Sequence, residues 1–244
     1  RYLSPPVVAV NTVFALNADL RVVALASSNG EELWSADVNP EGERDGFGGG
    51  LAFDDGRIYA ATGAAEVVVL DARNGEVIWR RSTAGPVRSA PTVADGRVFV
   101  VTVDNRIQAF TTEDGSAVWS SRGIAETAGL LGSASPAYSQ GVVLAPFSSG
   151  ELIALKAENG RQVWAESLTS VRRVDSVSEL SDVRGLPVIF RGYAFATGHS
   201  GQTAAINMLS GNRVWDQEFG GINTPWVAGD FLFLVSNENE LICL

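Results

Sequence analysis

Apolar and polar positions alternate in short runs along the chain, and no stretch carries the three- and four-residue spacing of an amphipathic helix. The runs favour β-branched and aromatic residues, as in Val67–Leu70 and Val77–Trp79, and Gly-containing pairs such as Asp55-Gly56, Asp95-Gly96 and Asn74-Gly75 punctuate them. One segment reads strand by strand: Val87–Ala94, turn Asp95-Gly96, Arg97–Val103, turn Asp104-Asn105, Arg106–Thr112, turn Asp114-Gly115, then Ser116–Arg122. Four antiparallel strands are predicted there. The first is crowded with small residues (Ser89, Ala90, Pro91), as are Gly48–Gly50 and Ser133, Ala134, Ser135 elsewhere. Such a strand suits the crowded axis of a propeller.

The same phrase recurs five times and closes on tryptophan each time. Its fixed points are Gly30 and Trp34, Gly75 and Trp79, Gly115 and Trp119, Gly160 and Trp164, and Gly211 and Trp215. The tryptophans are 45, 40, 45 and 51 residues apart, the period of a four-stranded propeller blade. Within the phrase, Asn-Gly, Asp-Gly and Ser-Gly are expected to supply the positive φ angles of a tight hairpin turn. A tryptophan fixed after that turn stands opposite a small residue ten positions earlier, over whose backbone the indole can lie. These five are packing staples. Trp226 falls outside the phrase, on an innermost strand, and reads as core.

Counting outward, the chain reads as one β-propeller segment over residues 1–244, with blades near 5–39, 46–83, 86–123, 133–168 and 185–220 and a three-stranded unit at 223–244. The final tryptophan-bearing strand is absent from the last unit, and Arg1–Ser4 offers no substitute. A closed propeller leaves no bare edge, so a longer propeller is expected around this segment.

Composition narrows the function classes. Twenty-eight acidic against eighteen basic residues give a net charge of −10, which repels nucleic-acid phosphates and anionic lipid. A single cysteine, Cys243, and a single histidine, His199, exclude an internal disulfide, a zinc finger and a Cys–His nucleophile. His199 reads as a surface residue. No apolar run approaches the roughly 20 residues of a membrane-spanning helix. The turns joining strands one to two and three to four are short, whereas the inter-blade connections Asn39–Phe47, Gly123–Gly132 and Leu168–Gly185 are long, and binding tends to reside in long loops on a rigid scaffold.

The phrase Ala-x-Asp-x-x-x-Gly-x-x-x-Trp, whose Asp is present at Asp71, resembles the tryptophan-docking repeat of the PQQ-like propeller superfamily. Within it, Glu179-Leu180-Ser181-Asp182-Val183 before Pro187-Val188 is similar to a Leu-Ser-Asp-Val-Asp segment of the BamB family, with Arg184 at that family's second acidic position. Ala128-Gly129-Leu130-Leu131-Gly132 before Ser135-Pro136 is similar to its other interaction loop, with Leu131 in place of an arginine. The resemblance implies eight blades in the intact fold and a non-enzymatic scaffold without a cofactor, on the periplasmic face of the bacterial outer membrane. It also implies a lipid anchor beyond this chain as the sole membrane contact, and a partner in the periplasmic domain of the central β-barrel assembly protein, with unfolded outer-membrane strands as a second. Loop length and the resemblance together assign partner binding to Leu130, Leu131, Leu180, Asp182 and Arg184, joined by Arg172 and Arg173, whose mixed-charge loop reads as either self-paired or offered to a partner.

Two other classes share the repeat. A quinoprotein dehydrogenase would carry, by resemblance, adjacent cysteines over a quinone and oxygen ligands around calcium. This sequence has no cysteine pair, and Asp175, Glu179 and Asp182 lack the alternation of ligands around a central glycine that a calcium loop requires. A ligand-sensing or purely structural propeller would instead bind a small molecule at the axis, or nothing.

Overall fold

The computed structural model describes residues 5–40, 48–124, 134–169, 183–199 and 201–244, and every regular element in them is a β-strand. The strands make five four-stranded sheets and one of three strands, each a meander in which sequence neighbours pair. This is the all-β, blade-built class that the repeat predicts.

The chain divides into two compact units, Arg1–Val103 with Gln108–Trp119, and Asp104–Ile107 with Ser120–Leu244. The first holds blade one, β1 (Val7–Ala9), β2 (Thr12–Leu16), β3 (Arg21–Ala26) and β4 (Glu32–Asp37), and blade two, β5 (Gly49–Asp54), β6 (Arg57–Thr62), β7 (Glu66–Asp71) and β8 (Val77–Ser82). Blade three comprises β9 (Thr92–Ala94), β10 (Arg97–Thr102), β11 (Arg106–Thr111) and β12 (Ala117–Arg122). The second unit holds blade four, β13 (Ala137–Ser139), β14 (Val142–Pro146), β15 (Glu151–Lys156) and β16 (Gln162–Ser167), and blade five, β17 (Val188–Phe190), β18 (Tyr193–Gly198), β19 (Gln202–Asn207) and β20 (Arg213–Gln217). The three-stranded sheet is β21 (Trp226–Ala228), β22 (Phe231–Val235) and β23 (Leu241–Cys243).

Side chains of consecutive sheets interleave. In the first unit one layer gathers Leu16, Val22, Leu51 and Ile58, and another Tyr59, Val67, Val98 and Phe110; in the second unit Leu144, Leu152, Trp164, Ala194 and Ile206 form a third. Each fully buried aliphatic or aromatic side chain contributes about 1.5–3 kcal/mol. Middle strands such as β6 and β7 are covered on both faces, which is why they read as nearly continuous apolar runs, while the fourth strand β8 buries only Trp79.

Five of the first strands are only three residues long, and a proline immediately precedes each: Pro6, Pro91, Pro136, Pro187 and Pro225. A prolyl nitrogen has no hydrogen to give the ladder, so pairing starts one residue later. This is why blade three begins at Thr92 rather than at the expected Val87, which keeps only an isolated bridge to Thr102. The exception, β5, has Leu51 rather than proline at the equivalent register position, paired with Ala60, and runs six residues.

The first-to-second turns of the five four-stranded blades have positive φ at both central residues, for example 43° and 73° at Asp55-Gly56 and 55° and 69° at Asp95-Gly96. The phrase turns differ from the tight hairpin that was expected. Only the glycine has positive φ, and Gly75 N–H donates to the carbonyl of Asp71, four residues back, at 2.9 Å. Asn74 shapes the turn through its side chain, whose Oδ1 accepts Glu76 N–H at 3.0 Å. The wider turn is absorbed by a bulge: Val69 pairs with Trp79 and Leu70 with Val77, leaving Ile78 as the extra residue.

Trp226, which reads as core, opposes Phe233 across the β21–β22 pair on the face away from Leu232 and Leu234, the face that Tyr59 and Trp79 of blade two turn to the following blade. His199 is half-buried rather than at the surface, and its Nδ1 is enclosed without a hydrogen-bond partner among the described residues.

Candidate functional site

The repeat residues come first because they hold the frame. Each phrase tryptophan whose pairing is given stands opposite the residue ten positions earlier: Ala24 for Trp34, Val69 for Trp79, Ala154 for Trp164 and Ala205 for Trp215. The indole does more than cover its own blade. Trp34 Nε1–H donates to the Ala72 carbonyl at 3.1 Å, Trp79 to Thr112 at 3.1 Å and Trp164 to Met208 at 2.8 Å, in each case on the following blade. The ring then lies on that blade's phrase glycine. A methyl group at Gly75 would fall 2.6 Å from Trp34 Cε3, one at Gly115 the same distance from Trp79 Cε3, and one at Gly211 2.5 Å from Trp164 Cγ. Trp119 packs on Phe99 and Trp215 on Phe195. Gly30 and Gly160 share the left-handed φ, at 73° and 71°.

Both long connections of the second unit start from one place, the β14–β15 turn Phe147–Gly150. Asn105, in the β10–β11 turn at φ 56°, is buried and fully engaged. Its carbonyl accepts Gly123 N–H at 2.8 Å, and its Nδ2 donates to the Ile124 carbonyl at 2.8 Å. Its Oδ1 accepts the Ser148 amide at 3.0 Å and the Ser148 hydroxyl at 2.9 Å. Glu151 Oε2 accepts Ile124 N–H at 2.7 Å and the Ser149 hydroxyl at 2.9 Å. Gly123 packs flat on Phe147, where a methyl group would meet the ring at 2.5 Å. The next connection leaves and returns on the same turn: Leu168 N–H donates to Gly150 at 2.9 Å and Val183 N–H to Phe147 at 3.2 Å. Leu168 and Val183 are both buried, which seals these ends into the core.

Of the residues assigned to partner binding, Leu130, Leu131, Arg172, Arg173, Leu180 and Asp182 lie outside the described residues. Arg184 is described; it is half-buried, beside Val183. The structure therefore locates where both loops are rooted. Sequence reasoning missed both Asn105, read only as part of the Asp104-Asn105 turn, and Glu151. Their one sequence signal is an asparagine at a turn position that needs positive φ.

Elsewhere in the second unit a cavity of about 650 Å³ opens beside Trp215, lined by Phe195, Tyr193, Phe231 and Leu244. Its charged rim, Arg191 and Asp230, is self-paired at 2.7 Å, so the cavity offers apolar surface and no convergent polar groups. Among the described residues no three His, Cys, Asp or Glu side chains stand close enough to hold a metal ion.

A family model described as outer membrane protein assembly factor BamB matches residues 4–244. BamB of Moranella endobia is 26% identical to this chain over 98% of it and 63% of the relative, and BamB of Salmonella typhimurium is 29% identical over 98% and 62%. The chain thus spans just over three fifths of the length of these curated relatives. The crystal structure of BamB from Moraxella catarrhalis superimposes with a TM-score of 0.87 at 20% identity, covering 98% of this chain and 71% of that one. With a full-length family match, the tryptophan–glycine blades and the shared propeller fold agreeing, this chain belongs to the BamB family of outer membrane protein assembly factors.

Proposed function

We propose that this chain is part of a non-enzymatic, protein-binding scaffold on the periplasmic face of the outer membrane, which supports folding and insertion of β-barrel proteins. Its partner is the periplasmic domain of the central β-barrel assembly protein. Docking uses one face, with Leu130 and Leu131 supplying contact area, Asp182 fixing orientation, and Arg172, Arg173, Leu180 and Arg184 completing the patch. The observation that carries this reading is the common origin of the two loops. Gly123 and Ile124 on one side, and Leu168 and Val183 on the other, are all tied to the Phe147–Gly150 turn or to Asn105 and Glu151 beside it. Family membership supports it from a separate direction.

The test is calorimetric titration of the partner's periplasmic domain with the Leu130→Ala/Asp182→Ala variant. Asn159→Ala serves as the control, being an exposed change in the β15–β16 turn at the opposite end of blade four. Loss of a central anchor costs about 2 kcal/mol, or roughly thirtyfold in affinity. If the double variant, folded, binds as tightly as the control, the assignment of this face is wrong.

A further inference from the structure

The first three blades each use the left-handed residue of the second-to-third turn as a backbone anchor. Val38 N–H donates to the Leu20 carbonyl at 2.9 Å, Thr83 N–H to Ala65 at 2.8 Å and Gly123 N–H to Asn105 at 2.8 Å. The φ values of the three acceptors are alike, at 51°, 59° and 56°. Leucine and alanine thus serve the backbone role with no polar side chain at all. At Asn105 the amide side chain adds what the others lack: one bond forward to Ile124, where the first long loop begins, and two to Ser148, inside the turn that holds both ends of the second.

We infer that Asn105 is a positioning residue that couples the two loops, transmitting the placement of the root at Gly123–Ile124 through Ser148 to the roots at Leu168 and Val183. Hydrogen bonds join the two roots through Asn105, Glu151 and the Phe147–Gly150 turn. The consequence for docking rests on the reading above: a partner meets two loops whose roots are held in one fixed relation.

The test is amide hydrogen exchange on the full chain. Asn105→Ala reproduces the alanine that blade two carries at Ala65 with the same φ, so the backbone anchor and the fold are retained. Losing the three side-chain bonds is expected to speed exchange about tenfold at Ile124 and Ser148 and, if the coupling holds, also at Leu168 and Val183. Amides of β6 and β7 should not change. Faster exchange in Asn105→Ala that stops at Ile124 and Ser148, or that spreads evenly over the chain, overturns the coupling. Titration of the partner's periplasmic domain separates this from the docking proposal. Coupled exchange with unchanged affinity upholds the coupling and refutes the docking face. Uncoupled exchange with weakened affinity overturns the coupling and leaves the docking face standing.

Discussion

Gly56 and Gly75, both in blade two, have almost the same φ, 73° and 74°, yet only Gly75 carries a tryptophan. Nothing lies within 4 Å of a methyl group built at Gly56, whereas one at Gly75 would sit 2.6 Å from Trp34 Cε3 and 3.0 Å from Cδ2. Substituting alanine at either site incurs the left-handed backbone cost of about 1 kcal/mol. At Gly75 the indole must also move. That surrenders the 3.1 Å bond from Trp34 Nε1 to the Ala72 carbonyl, about 1 kcal/mol, and the close packing of the ring, about 1 kcal/mol more. Gly75→Ala should therefore cost about 3 kcal/mol and Gly56→Ala about 1 kcal/mol. In thermal melts the former corresponds to a fall of roughly 6–12 °C and the latter to roughly 2–4 °C. Urea unfolding followed by circular dichroism gives both values directly, provided the slopes agree. Equal losses for the two variants would show that the tryptophan seat contributes nothing beyond backbone strain, and the account of blade-to-blade docking would be refuted.

Trp164→Phe keeps a ring but removes the donor to Met208 at 2.8 Å, leaving a buried carbonyl unpaired; a loss of about 1–3 kcal/mol is expected in the same urea experiment, and none would contradict the bond. Asp71 is held at a pKa of about 2, below the ordinary 3.8, chiefly by the hydrogen bonds from the Arg73 guanidinium. Because its folded value is depressed, its contribution to stability is complete above the ordinary value and is lost as pH falls through about 2; carboxyl NMR titration should show this, and Arg73→Ala should move the midpoint back towards 3.8. With PQQ and calcium added, dye-linked alcohol oxidation should stay at the no-protein control, and turnover above it would overturn the non-enzymatic reading.

The blade pattern was legible because it is local. Gly75 and Trp79 are four residues apart, and alternation within a strand needs no knowledge of its neighbours. What lay beyond reach was the other half of each contact. Trp34 donates to a carbonyl 38 residues on, and nothing inside the phrase distinguishes a ring lying over its own strand from one seated on the next blade. The short first strands were legible in principle, since Pro91 forbids a ladder bond where Val87–Ala94 had been read as one strand. Which face Trp226 takes was not legible, since only its register against Phe233 reveals it. Asn105 stood in plain sight as a turn residue. Its importance arises from Ser148, 43 residues away, and no periodicity carries that.

The seating of Trp34 on Gly75, of Trp79 on Gly115 and of Trp164 on Gly211 has a bearing on how such a chain changes over generations. The glycine of each copy is constrained by the tryptophan of the copy before it, so the unit of inheritance is a phase-shifted one, running from one tryptophan to the next glycine. Whole periods can be gained or lost without breaking a lock, because every copy offers the same seat and the same ring. A length change between the phrase glycine and its tryptophan would instead put two locks out of step at once. Insertions are tolerated between phrases, where the spacing of 40 to 51 residues already varies, and that freedom leaves the inter-blade connections open to diversification while the frame stays fixed.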